Sequence, residues 1–262
     1  MSFTFLLLKY LNCKYLSELL GEGIGLVLLK RLSDAERDDD RIYCVLRDIL
    51  CNHDGHANKR SYVVPSGPGQ ERLLTDIYRR TQYDSNRILY VEAHGTGTRV
   101  GDPIEANMLG RFFDRSPLDP PLIIGSVKSN IGHTEGAAGV ASLIKVAMCM
   151  THRAIPPNMH FKAFNPKIEA ERFNLHVVQN VLPFPVISRD NENDLPIAIA
   201  INSFGLGGNN AHAIVEEYRS KQTTSNNDHF VEKELQQRFV LLFSSKQLWH
   251  KIMSCLKNIF SA

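Results

Sequence analysis

Apolar positions in this chain alternate between short unbroken runs and helical spacing, and the alternation recurs along its length. "GIGLVLLKRL", from Gly23 to Leu32, is a continuous apolar run of strand length, and "RIYCVLRDIL" follows it after the charged stretch "SDAERDDD". Two neighbouring antiparallel strands are the simplest expectation for that pair. In "GPGQERLLTDIYRRTQ", Leu73, Leu74, Ile77 and Tyr78 recur at helical spacing. "RILYVEA" then reads as a short buried strand. A loop, the helix "DPIEANMLGRFF", the strand "PLIIGSV" and a long helix from about Glu135 to Met150 come next. That order predicts an α/β architecture around a mostly buried sheet.

The last of these helices carries Gly136, Ala137, Ala138, Gly139 and Ala141, which allow close backbone packing. Its apolar residues run round every face, which predicts an internal helix. "LPIAIAINSFGLGG" and "NAHAIVEEY" read as two strands joined by a glycine-rich turn. From Arg219 to Glu234 the composition shifts to Ser, Thr, Asn, Lys and Gln, the mark of a linker, before "FVLLFSSKQLWHKIMSCLKNIF" returns to strand-then-helix character.

Composition narrows the function classes. With 262 residues, 43% of them hydrophobic, the chain can bury a substantial core. Thirty basic against twenty-eight acidic residues leave a formal charge of +2, and no Lys/Arg block tracks a phosphate backbone, so nucleic acid is not the expected partner. The five cysteines have no CxxC spacing, which points away from a zinc site or disulfide framework and towards a reducing, cytoplasmic compartment. The apolar start is broken by Lys9 and has no basic leader, so neither a signal peptide nor a membrane span is expected. "GEGIG" and "GLGGNN" lack the order of a nucleotide-binding loop; their glycines are read as permitting tight turns.

Three polar stretches share one place in this scheme, the C-terminal end of a buried strand: "YVEAHGTGTRVGDPIE", "GSVKSNIGH" and "INSFGLGGNNAH". Loops leaving such ends converge on a ligand crevice. His94, Lys128 and His133 are therefore expected to meet, and two imidazoles with a lysine beside backbone N–H groups suit a developing oxyanion or enolate.

On those residues the chain resembles the β-ketoacyl synthases of fatty acid and polyketide synthesis. "EAHGTGTRVGDPIEA", "GSVKSNIGHTEGAAGVASLIK" and "NSFGLGGNNAHAIVEE", in that order, are similar to the C-terminal half of that domain, and "GEGIGLVLLKRLSDAERDDDRIYCVLRDILCNHDG" to the segment just before it. The resemblance implies a thiolase-like α/β fold, here the C-terminal half with the end of the N-terminal half, over residues 21–217. Residues 1–20 are unmatched, and 218–262 are similar to the start of the region linking ketosynthase to acyltransferase. It further implies that His94 and His133 bind the malonyl thioester carbonyl and assist decarboxylation, with Lys128 beside His133. Thr96 and Thr98 match the threonines that hydrogen-bond the phosphopantetheine arm, although both also suit a role in satisfying turn backbone groups. The turn at Leu206 matches the backbone that gives an oxyanion-hole N–H.

No metal and no directly bound cofactor are implied. Substrate arrives on the phosphopantetheine of an acyl carrier protein, and the other implied partners are the acyltransferase domain of the same synthase and a second copy in a homodimer. The family's nucleophilic cysteine lies in a DTACSS-like motif that this sequence lacks, and "LNCKYLSE" around Cys13 has no small-residue elbow to expose a thiol. The isolated chain is accordingly expected to be inactive in condensation. Two alternatives stand beside a truncated synthase: a non-catalytic subunit or carrier-protein docking module, and a fragment without independent function. Leu206 replaces the phenylalanine common in bacterial relatives. His212, with His53, His56, His152, His160 and His176, is read as structural.

Overall fold

The structure is a computed structural model that describes residues 20–55, 63–185 and 195–219, with backbone alone at 3–4 and 9–11. In chain order the elements are α1 (Leu32–Arg37), β1 (Val45–His53), α2 (Gly67–Thr81), β2 (Ile88–Glu92), α3 (Gly101–Phe113), β3 (Leu122–Gly125), α4 (Lys128–Ile131), α5 (Ala138–His152), β4 (Leu175–Val177), β5 (Ala198–Phe204) and β6 (Asn209–Glu216). The two longest helices start and stop for local reasons. Ser66 caps α2 by accepting the Gly69 N–H at 3.2 Å, with Pro68 in the first turn, and Gln82 ends it in the left-handed region. Arg153 ends α5 in the same way.

The strands form one six-stranded sheet in the order β1-β6-β5-β2-β3-β4. β5, β2, β3 and β4 run parallel, while β6 is antiparallel to both β5 and β1. Side chains alternate across the sheet. Ala198, Ala200 and Ile214 join Leu73, Leu74 and Ile77 of α2 and Met108 and Leu109 of α3, whereas Ile199, Ile201, Ala213 and Val215 join Val146, Ala147, Cys149 and Met150 of α5. Both faces are thus covered, which is why "PIAIAI" is apolar without interruption.

Most of the expected elements are present, and one pairing is not. "GIGLVLLKRL" does not pair with "RIYCVLRDIL": β1 lies against β6, and the upstream run contributes only the short strand Leu26–Val27, with another, Leu20–Glu22, just before it. The expected charged turn holds α1. The reason lies in covering surface, since Ile24, Leu26, Leu28 and Leu29 are 58 to 68% exposed and find no apolar face among the described residues. The long apolar helix begins three residues later than expected, after a 3₁₀ turn at Glu135–Ala137, and none of its residues from 138 to 150 is fully exposed. The strand-then-helix segment expected at 239–260 lies outside the described residues. Among the described residues no helix is long and apolar enough to cross a membrane.

Candidate active site

β2, β3 and β5 are parallel, so the loops after them leave on the same side of the sheet. His94 follows β2 by two residues. Its N–H donates to Glu105 Oε1 at 2.8 Å and that of Gly95 to Glu105 Oε2 at 2.9 Å, so one carboxylate from α3 holds the start of the loop. Lys128 opens α4 just past β3, and the N–H of the preceding Val127 donates to Glu92 Oε1 at 2.6 Å. His133 stands just beyond α4.

The three groups expected to meet do so. The His94 and His133 rings lie 5.2 Å apart between centroids at 85°, and Lys128 Nζ is 3.5 Å from His94 Nδ1. His133 Nδ1 accepts the Glu135 N–H at 3.1 Å, so the ring hydrogen of neutral His133 is on Nε2. An ammonium offers only donors, so Nδ1 of His94 is the bare nitrogen facing Lys128, and the His94 hydrogen is likewise on Nε2. Burial, then Lys128 and His133, push His94 down to about 2. Burial and Lys128 also lower His133. Both rings are neutral at pH 7, each with one N–H to give. Burial lowers Lys128, and the negative charges of Glu92 and Glu105 oppose that shift. Phe204, at the end of β5, packs 5.9 Å from the His94 ring and supplies an apolar wall.

The remaining expected residues are placed less centrally. Thr98 Oγ1 accepts the Gly101 N–H at 3.0 Å at the start of α3 and lies 3.3 Å from Thr96 Oγ1. Thr98 therefore has a turn-capping role, while one hydroxyl hydrogen of the pair is left to donate. Leu206 is 69% exposed in the Gly205–Gly208 turn, where Gly207 and Gly208 adopt φ of 91° and 103°, values that suit glycine alone. Gly21 differs from its sequence reading as a turn residue: its N–H donates to His133 O at 2.8 Å, and a Cβ there would sit 2.6 Å from Ile131 O. Close approach is what it permits. His176 is exposed on β4, away from this cluster.

Sequence reasoning passed over the carboxylates that hold the loops, Glu92 and Glu105, and the groups behind them. Glu92 is fully buried, with Lys145 Nζ at 2.6 Å and the Tyr90 hydroxyl at 2.7 Å on Oε2. Asn202 Nδ2 donates to Glu105 Oε1 at 2.9 Å, and His212 Nδ1 meets Asn202 Oδ1 at 2.6 Å. A charge inside the otherwise apolar "ILYVEA" was the available signal. Two of the described cysteines are unsuited to act as a nucleophile. Cys44 and Cys149 are buried, burial pushing each thiol up to about 12, and Cys51 is exposed on β1. Cys13 and Cys255 lie outside the described residues.

Known proteins agree on one family. Residues 43–162 match the family described as beta-ketoacyl synthase, C-terminal domain, and residues 165–257 match the ketoacyl-synthetase C-terminal extension. The PKS-NRPS hybrid synthetase ATPKS of Aspergillus niger is 46% identical over 200 residues, which are 76% of this chain and 11% of that protein. The probable polyketide synthase 9/36 of Dictyostelium discoideum is 36% identical over 247 residues, 92% of this chain and 8% of that one. Among solved structures, the ketosynthase from module 6 of the Bacillus subtilis bacillaene synthase matches with a TM-score of 0.70 at 40% identity, covering 76% of this chain and 35% of its own. An oxazolomycin ketosynthase domain from Streptomyces albus gives 0.73 at 36% identity, covering 80% and 36%. The chain thus spans about a tenth of these curated relatives and about a third of the solved ketosynthases, and its fold is α/β of the thiolase-like kind.

Proposed function

The chain belongs to the β-ketoacyl synthase family, and on that premise we propose that it supplies the decarboxylation half of a ketosynthase site. Its catalytic groups are His94, His133 and Lys128, and its substrate is malonyl carried on the phosphopantetheine of an acyl carrier protein. The observation that carries this reading is the pair of imidazoles at 5.2 Å beside a lysine, both kept neutral by burial. Two such donors stabilise the thioester oxygen as it gains charge. The bond from the malonyl α-carbon to its carboxylate breaks, the electron pair moves into the enolate, and CO₂ leaves. Burial, and Lys128 after it, disfavour protonation of both rings and so keep them as donors. Thr96 and Thr98 hydrogen-bond the pantetheine arm, and the Leu206 turn gives an oxyanion-hole N–H.

The carbanion then attacks an acyl thioester on a cysteine that this chain does not supply, so by itself it forms no condensation product. Relatives named as polyketide synthases favour a polyketide as the product of the whole assembly. The same reading gives a division into residues 21–217, the ketosynthase part, and 218–262, leading towards an acyltransferase, in a cytoplasmic homodimer.

The test is decarboxylation of malonyl carrier protein by a full ketosynthase that carries this segment and has its nucleophilic cysteine replaced. CO₂ release without condensation is the expected result. His94→Ala and His133→Ala should each lower that rate by about a hundredfold, the scale of one lost donor to a developing oxyanion. His176→Ala should leave it unchanged. Dispensable His94 and His133 in a folded protein would overturn the assignment.

A further inference from the structure

Behind the His94 loop, on the α2/α3 face of the sheet, stands a line of buried polar groups that the decarboxylation chemistry does not touch. Asn202 of β5 and His212 of β6 are directly opposed in the antiparallel register and are 0% and 1% exposed. Opposed residues on neighbouring strands share a face, which brings His212 Nδ1 to 2.6 Å from Asn202 Oδ1. The directions of the hydrogen bonds follow from the far end. A carboxylate accepts and does not donate, so Glu105 Oε1 fixes Asn202 with its amide nitrogen towards α3 and its oxygen towards His212. That oxygen needs a donor, and Nδ1–H of His212 is the group in reach. His212 is thereby held in the Nδ1–H form, with Nε2 bare.

The surroundings bear this out. Nε2 of His212 and the hydroxyl of Tyr78 are both buried without a hydrogen-bond partner, and the two rings pack at 5.7 Å. A histidine kept only to fill space would be replaced at no cost by an apolar ring, whereas here one nitrogen goes unpaired while the other is committed to a short bond. Burial pushes His212 down to about 3, so the ring keeps one hydrogen at neutral pH and that hydrogen stays in the line. From His212 the line continues through Asn202 to Glu105, which takes the N–H groups of both His94 and Gly95. Loss of the His212 donor frees the Asn202 amide to turn, and a turned amide sets its oxygen against a carboxylate.

We propose that His212, acting through Asn202 and Glu105, is a positioning residue that fixes the loop carrying His94. The importance of that placement rests on the role proposed for His94, but the line of hydrogen bonds can be tested without substrate.

In the full chain labelled with ¹⁵N-histidine, the ring nitrogens of His212 should show hydrogen on Nδ1 and none on Nε2. His212→Phe should lower the exchange protection of the His94 and Gly95 amides by about tenfold relative to those of β5 and β6, the scale of one lost hydrogen bond. His212→Asn, whose amide nitrogen can occupy the place of Nδ1, should restore most of it. Hydrogen on Nε2 in the unsubstituted chain, or equal protection in the His212→Phe chain, would overturn the proposal. If neither variant folds, the tautomer alone decides. None of these readouts uses decarboxylation, so a failed ketosynthase assay and a failed positioning test are separate results.

Discussion

Burial keeps histidines of this fold neutral, one residue at a time. His94 and His212 are held down to about 2 and about 3, well below the ordinary histidine value near 6.5. An unfolded chain takes up these protons as pH falls through 6.5, and the folded chain refuses them until far lower. Stability should therefore be level above pH 7 and fall steadily on acidification below about 6.5. Denaturant midpoints measured across pH 7 to 4 check this: His94→Ala should make the fall shallower by the share of one proton, and a stability that rises on acidification would contradict the assignment. At this scale the sequence was informative about identity and silent about state. "HGTGT" and "NIGH" singled out His94 and His133, but the tautomers depend on Glu135 N–H and Lys128 Nζ, partners that only folding brings near.

At the scale of elements, the helix α4 and the short strand Leu20–Glu22 are built to touch. Gly21 donates to His133 O, and its missing Cβ leaves room for Ile131 O. Gly21→Ala puts a methyl at 2.6 Å from that carbonyl, so either the strand or α4 must move. The expected cost is about 1–3 kcal/mol, the scale of an overpacked contact, seen as a lower melting temperature. A local consequence should accompany it, namely faster exchange at the amide of Gly21, whose bond to His133 is the one broken. An unaltered melting curve would mean that this contact is looser than described. The helices α2 and α3 were plain in the sequence because each buries one long face, and α5 because it is apolar on every face. The partner of β1 was not, because "GIGLVLLKRL" and "NAHAIVEEY" are equally strand-like, and pairing is decided by which apolar face is covered.

For the whole molecule, the telling feature is a sheet with helices on both faces and two buried carboxylates at one end of it. Glu92 ties β2 to the start of α4 through the Val127 N–H and to α5 through Lys145, while Glu105 ties α3 to the His94 loop and to β5. Removing one side of the Glu92–Lys145 pair leaves a buried charge unmatched. Lys145→Met or Glu92→Gln alone should cost about 3–5 kcal/mol, and the double substitution clearly less than the sum. Chemical denaturation of the four chains measures this; strict additivity would show that the two groups do not interact. The sequence by itself determined the family, the order of the main α and β elements and the meeting of His94, Lys128 and His133, because buried faces and glycine-rich turns leave a periodic, local signature. Only the tertiary structure decided the pairing of β1 with β6, the contact role of Gly21 and the supports of the loops. Those rest on groups as far apart in the chain as Glu105 and Asn202, whose meeting no local pattern records, since it follows from strand register and from the need of every buried polar group for a partner.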